Sequence, residues 1–263
     1  MVQPALKADT LLERVAELWE KSLTIPENYL PLERLQKEAE ELDKPGMPGR
    51  ETAWLVLAFI HAIKWNRANS YNYIQRLITV SAKDVVIQYN IALIYYSFCD
   101  FHKSIKCIDI VNAVDKNFKV DFLVSLYFLV GRWRSVGPNL VEVGRTQPSY
   151  KLVSYIIEVD GAQDIIDKFN VSDDHIIFIL KIASEVLIEV NTPMLKFSVE
   201  VVLDDILVTY YVDNRRCKSG LDLTMRFLDK LHQHPDHAKN YGRIVISFVA
   251  SSLEELQGDG ETG

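Results

Sequence analysis

The first residues that could do chemistry lie near the C-terminal end, where His232, His234, Asp236 and His237 stand in the run His-Gln-His-Pro-Asp-His. Imidazoles and a carboxylate are ligand types that zinc takes, and three of them plus a water can make a hydrolytic centre. Asp204-Asp205 is a second candidate, because neighbouring carboxylates can share a proton or hold a cation. Asp is also a natural turn residue, and between two apolar runs a turn is the expected role. His102 and Cys107 stand five residues apart, which puts them off a common helix face, so a nucleophile activated by that pair is not expected. Arg215-Arg216-Cys217-Lys218 is a basic run that either faces solvent or meets an acidic peptide or nucleic acid. A looser basic group, Arg132, Arg134, Arg145 and Lys151, is interleaved with Trp133 and Tyr150.

Context decides the value of the histidine run. As a string it is similar to the HxHxDH motif of the metallo-β-lactamase fold, in which the ligands follow a buried strand. Here residues 221–231 read as a helix, no histidine follows His237, and only 26 residues remain. A helix end is the simpler expectation: His232 and His234 suit the negative end of the helix dipole, and Pro235 breaks the helix. No metal or other cofactor is therefore expected. A metal-dependent enzyme built on these four residues stands as an alternative. Strings of the form GxGxxG, GxxxxGK[ST] or GxSxG, which would mark nucleotide cradles or a serine-hydrolase elbow, do not occur.

The elements that must position such residues are mostly helices. Leu11, Leu12, Val15, Ala16, Leu18, Trp19 and Leu23 recur at helical spacing and predict a helix from about Thr10, capped by Asp9 or Thr10 and ended by Pro26. A second helix is predicted from Pro31 to Leu42, with the stripe Leu32, Leu35, Ala39, Leu42 facing inward. Residues 44–50 carry two prolines and two glycines, the clearest break in the chain.

From residue 51 to 148 the pattern repeats. Trp54, Leu57, Ala58 and His61 open one helix, and Ile74 and Leu77 lie on the next. The same arrangement returns with Gln88, Ile91, Ala92, Tyr95 and Ile108, Val111, then with Val120, Leu123, Val124, Tyr127 and Leu140, Val143. Each pair has an aromatic near its turn, at Trp65, Phe101 and Trp133. A lone helical hairpin cannot bury both faces, so small residues at the crossing (Ala58, Ala92, Ser104) and large ones between hairpins predict stacking. The stretch resembles the tetratricopeptide repeat family. The middle unit carries the resemblance best, through Tyr89-Asn90, Ala92, Tyr95-Tyr96, Cys99-Asp100-Phe101 and Ser104-Ile105, with Ala92 and Cys99 standing where that family usually has glycine.

That resemblance implies a concave groove lined by the first helix of each pair, holding a partner's peptide or helix. The lining would be Leu55, Phe59 and Ala62, then Tyr89, Leu93 and Tyr96, then Asp121, Ser125 and Phe128. The Lys and Asn clamp with which some members grip a C-terminal carboxylate is missing. An apolar groove needs cover, supplied either by a partner's amphipathic helix or by the chain's own C-terminal part.

The last third changes period. Ser172-Asp173-Asp174 opens a helix to about Val190 that is apolar nearly all round; Asn191 and Pro193 stop it. Met194–Leu203 and Ile206–Val212 alternate and predict a hairpin, and residues 220–232 and 239–256 read as two closing helices. The expected fold class is mainly α: helical-hairpin repeats followed by a small α+β module of one helix, a β-hairpin and two helices. The expected divisions are an N-terminal helix pair (1–50), with a degenerate repeat as the alternative reading because Trp19 precedes Trp54 by 35 residues, then the repeats (51–170), the module (171–256) and a disordered tail (257–263).

Composition bounds the function. Acidic residues number 36 against 29 basic, a net charge of −7, which argues against broad phosphate-backbone binding, so nucleic acid is not an expected partner. Cys99, Cys107 and Cys217 form neither a disulfide framework nor a CxxC pair, the first ten residues hold no signal-peptide core, and no apolar run spans a bilayer. A cytoplasmic, non-enzymatic protein-interaction module is the expectation, whether adaptor, assembly factor or dedicated chaperone. Its partner is another protein, and self-association is left open. The alternatives are the metal-dependent enzyme above and a nucleic-acid-linked regulator using Arg215–Lys218.

Overall fold

The structure is a computed structural model. It describes residues 4–20, 29–114, 126–127, 129–134, 162–217, 219–235, 243–252 and 255–256. Among the described residues the fold is mainly helical with a small three-stranded sheet, and the chain divides into two compact units, 1–98 and 99–263.

The first unit is built around one helix. α1 (Pro4–Glu20) packs beside α2 (Leu30–Leu42), and both pack on α3 (Arg50–Ile63), which also meets α4 (Arg67–Ser81) and α5 (Val85–Ser97). Sequence places the start of α1 at Asp9 or Thr10, but it begins at Pro4. Proline suits the first turn, residues 5–8 contain no breaker, and Asp9 and Thr10 become exposed positions inside the helix. Leu23 and Pro26 lie outside the described residues. The inward stripe of α2, Leu32, Leu35, Ala39 and Leu42, is buried as its spacing predicts. Arg14 grips Glu38 through two hydrogen bonds (2.9 and 3.3 Å) and Lys7 reaches Glu41, which fixes α1 against α2.

Every residue of α3 from Ala53 to Ile63 is buried, the environment that a helix apolar on all sides requires. Its neighbour α4 is capped by the Asn66 side chain, which accepts from Asn69 N–H. The α3–α4 crossing is close because small residues meet there: Ser70 Oγ donates to the Ala58 carbonyl at 2.9 Å. Asp84 caps α5, whose inner face is Gln88, Ile91, Ala92, Ile94 and Tyr95. Edge-to-face contacts of Tyr71 with Tyr95 and Phe98, and of Trp65 with Phe98, fill the space below the turn.

A left-handed residue marks the recurring turns. Trp65, Cys99 and Gly131 have φ of 55°, 59° and 77° and stand 34 and 32 residues apart, the spacing of the sequence pattern. Asn66 N–H reaches back to the His61 carbonyl and Arg132 N–H to that of Tyr127, the wide hydrogen bond that closes a helix at such a residue. Asn170 (φ 51°) repeats the device, with Val171 N–H bonded to the Ile166 carbonyl.

The second unit contains α6 (Phe101–Val114), a helical segment at 162–168, α7 (Asp173–Val190), and then β1 (Met194–Val202), β2 (Asp205–Asp213), α8 (Gly220–His232) and β3 (Ile244–Ser251). Ser172 caps α7, and Asn191 ends it at φ 49°. Gly131 is obligatory: besides its positive φ, a Cβ there would lie 2.7 Å from the backbone nitrogen of Ile177 on α7. β1 and β2 form the expected antiparallel hairpin, joined by Leu203-Asp204.

One expectation is corrected. Residues 239–256, read as a closing helix, contain the strand β3, which lies parallel to β2, so the module is a hairpin extended by a β2–α8–β3 crossover. Ile244, Ile246 and Phe248 are buried while Val245 and Val249 are exposed, a period of two. The run misleads because its apolar residues also recur four apart, and its pairing strand is far away in sequence. Leu223, Phe227 and Leu231 of α8 form its buried face, α8 packs on β3, and Phe227 and Phe248 lie 6.4 Å apart. Gly220 starts α8 directly on the Phe248 carbonyl, where a Cβ would overlap it.

Candidate partner-binding face

Sequence singled out several reactive groups, and the structure assigns most of them ordinary work. His232 is in the last turn of α8 and His234 just beyond it; both are exposed, and the His234 and Phe178 rings meet in a T-shaped contact. Asp236 and His237 lie outside the described residues. Among the described residues no three His, Cys, Asp or Glu side chains gather where a metal ion could be held. Asp204 and Asp205 are not a working pair: Lys168 donates to Asp204 at 2.6 Å and holds its carboxyl below the usual range, while Arg243 binds Asp205 at 3.3 Å. Cys107 is buried, and desolvation pushes its thiol up to about 12, which leaves it unreactive at neutral pH.

The basic run is also engaged. Arg215 lies over the buried carboxylate of Asp213, with Nε at 2.9 and 3.0 Å and Nη2 at 2.6 Å. That fork anchors the loop after β2. Lys218, Arg145 and Lys151 lie outside the described residues. Arg132 pairs with Asp109, and Arg134 with Asp167 and Asp173.

The expected groove residues separate into three groups. Leu55 and Phe59 are 2% and 4% exposed, in the interior of the first unit, with Phe59 4.9 Å from Trp19 of α1. Ala62 is buried with them. They therefore line no open surface, and the N-terminal helices α1 and α2 pack on α3. Asp121, Ser125 and Phe128 lie outside the described residues. Tyr89, Leu93 and Tyr96 remain, half-buried on the side of α5 away from Ile91 and Ile94. Val86, 60% exposed, extends them into a stripe at successive steps of three, four and three. Sequence reasoning missed Val86, although the same spacing rule that found the inner face would have found it.

This helix is apolar on two faces, of which Gln88, Ile91, Ala92 and Tyr95 form the fully buried one. No helix among the described residues is long and apolar enough to cross a membrane. No protein-family model, no curated protein and no solved structure matches the chain.

Proposed function

We propose that this chain is a protein-interaction module of tetratricopeptide-like helical hairpins, acting as an adaptor, assembly factor or dedicated chaperone in the cytoplasm. The observation that carries the reading is the second apolar face of α5, Val86, Tyr89, Leu93 and Tyr96, which is less buried than the first: Val86 is 60% exposed and the other three are half-buried. A stripe with that spacing fits an amphipathic helix from a partner, whose own anchors recur at i, i+3 or i+4, and i+7. The ring faces of the two tyrosines supply contact area at a low entropy cost.

The test compares wild type with Tyr96→Glu, after circular dichroism shows equal helix content. A protein captured from the native cell is identified, purified and titrated against both by calorimetry. The expected result is at least a tenfold loss of affinity in the variant. Equal affinity for both would remove α5 as the binding face and, with it, this reading.

A further inference from the structure

β1 is an edge strand. β2 pairs with one side of it, and among the described residues no strand pairs with the other. A free edge is a template for another chain, which proteins usually blunt with charge, proline or a twist. β1 carries just two charges, Lys196 and Glu200, of opposite sign, both exposed and on the same face of the strand. Its end is apolar and exposed, with Val201 and Val202 followed by Leu203, which is 94% exposed. Leu203 also sits at φ 60°, where Asn or Gly is at ease and a leucine is strained. Within the chain this side chain gains no burial to offset that strain.

We propose that β1 pairs antiparallel with β1 of a second copy of this chain about a two-fold axis at Ser198, joining the two sheets edge to edge. Symmetric antiparallel pairing opposes residues equally far from the central one. With Ser198 at the centre, Lys196 faces Glu200 of the second copy and Glu200 faces its Lys196. Centring on Phe197 or Val199 instead sets Lys196 against Ser198 or Val202, so the charges select one register. The regular pairing runs from Lys196 to Glu200, and Val201 and Val202 then lie beside the bulged end of the second copy's strand at Met194–Lys196. The edge is thereby complementary to itself.

Sedimentation of the full chain tests the idea, independently of the α5 face. The expected species has twice the 30.2 kDa monomer mass. Lys196→Glu sets like charges opposite each other twice and should weaken the dimer at least tenfold; adding Glu200→Lys to that variant should restore it. Ser198→Cys should form a disulfide-linked dimer under mild oxidation, since facing Cα atoms in an antiparallel pair are about 4.5–5.5 Å apart. A wild type that is monomeric at all concentrations, a dimer indifferent to Lys196→Glu, or a double variant that stays monomeric would each overturn the proposal.

Discussion

Asp43 stands at the C-terminal end of α2, where the helix dipole disfavours a carboxylate. Three donors from other elements reverse that balance: Arg50 Nε at 3.0 Å, Trp54 Nε1 at 2.6 Å and Arg76 Nη1 at 3.2 Å. Arg50 also lies over the Trp54 ring, 4.7 Å from its centroid. One side chain thus ties the end of α2 to α3 and α4. Asp43→Ala leaves the indole N–H without its acceptor and should cost about 2 kcal/mol in urea unfolding. Asp43→Asn, which keeps an acceptor for Trp54, should cost about half as much; equal losses would show that the ion pairs dominate instead. None of this is legible in the sequence. The partners of Asp43 become neighbours only once the helices pack. The buried stripe Leu32, Leu35, Ala39, Leu42 is legible because helical spacing alone defines it. His61 makes a pH-dependent contribution of known sign. Its ring is buried and stacked on Tyr73, and desolvation, with Lys64 nearby, lowers its pKa. The folded state therefore resists protonation, so stability is full above about pH 6.5, the unfolded value, and is lost as pH falls below it. In His61→Phe that part of the decline between pH 7 and 5 should disappear; parallel pH–stability curves for variant and wild type would refute the assignment.

At the scale of elements, β3 separates what local pattern can and cannot decide. The hairpin of β1 and β2 was legible because two alternating runs flank a short polar break, although its turn is Leu203-Asp204, one residue before the expected Asp204-Asp205, which puts Asp205 in β2. In β3 the same residue types fit a helix equally well, and what selects the strand is β2, whose Ile206, Val208 and Tyr210 face Ile244, Ile246 and Phe248. Propensity gave way to a partner distant in sequence. Substitution reads the period directly. Ile246→Ala removes a side chain that is 2% exposed and should cost about 2–4 kcal/mol. Val245→Ala, at 37% exposure on the opposite face, should stay within about 1 kcal/mol. A helix over the same residues would give no such alternation. The turns at Trp65, Cys99 and Gly131 follow the same division. Their positions are visible as a spacing, but only the structure shows that two of the three hold a non-glycine residue left-handed.

For the whole molecule the question is what a surface with 36 acidic and 29 basic residues can bind. Net charge alone disfavours nucleic acid, but a local patch could still override it. Five of the described basic residues of the second unit are already engaged. Arg132, Arg134, Lys168, Arg215 and Arg243 each lie within 3.3 Å of a carboxylate, so a phosphate would have to displace an existing partner before binding. Arg215 is the hardest to free, because releasing it would strand the Asp213 carboxylate, whose side chain is 3% exposed. Sequence reasoning could see the basic run but not its engagement, since nothing local shows that the Asp213 carboxylate is buried. Fluorescence anisotropy with short single- and double-stranded DNA and RNA at 50 mM salt should accordingly show no saturable binding. Charge-driven association is strongest at low salt and falls steeply as counterions compete, so this condition gives any such interaction its best chance to appear. Binding that weakened tenfold or more by 200 mM salt and vanished in Arg215→Ala/Arg216→Ala would refute this expectation. It would show that the Asp213–Arg215 fork opens for phosphate, and the basic loop rather than α5 would become the functional face.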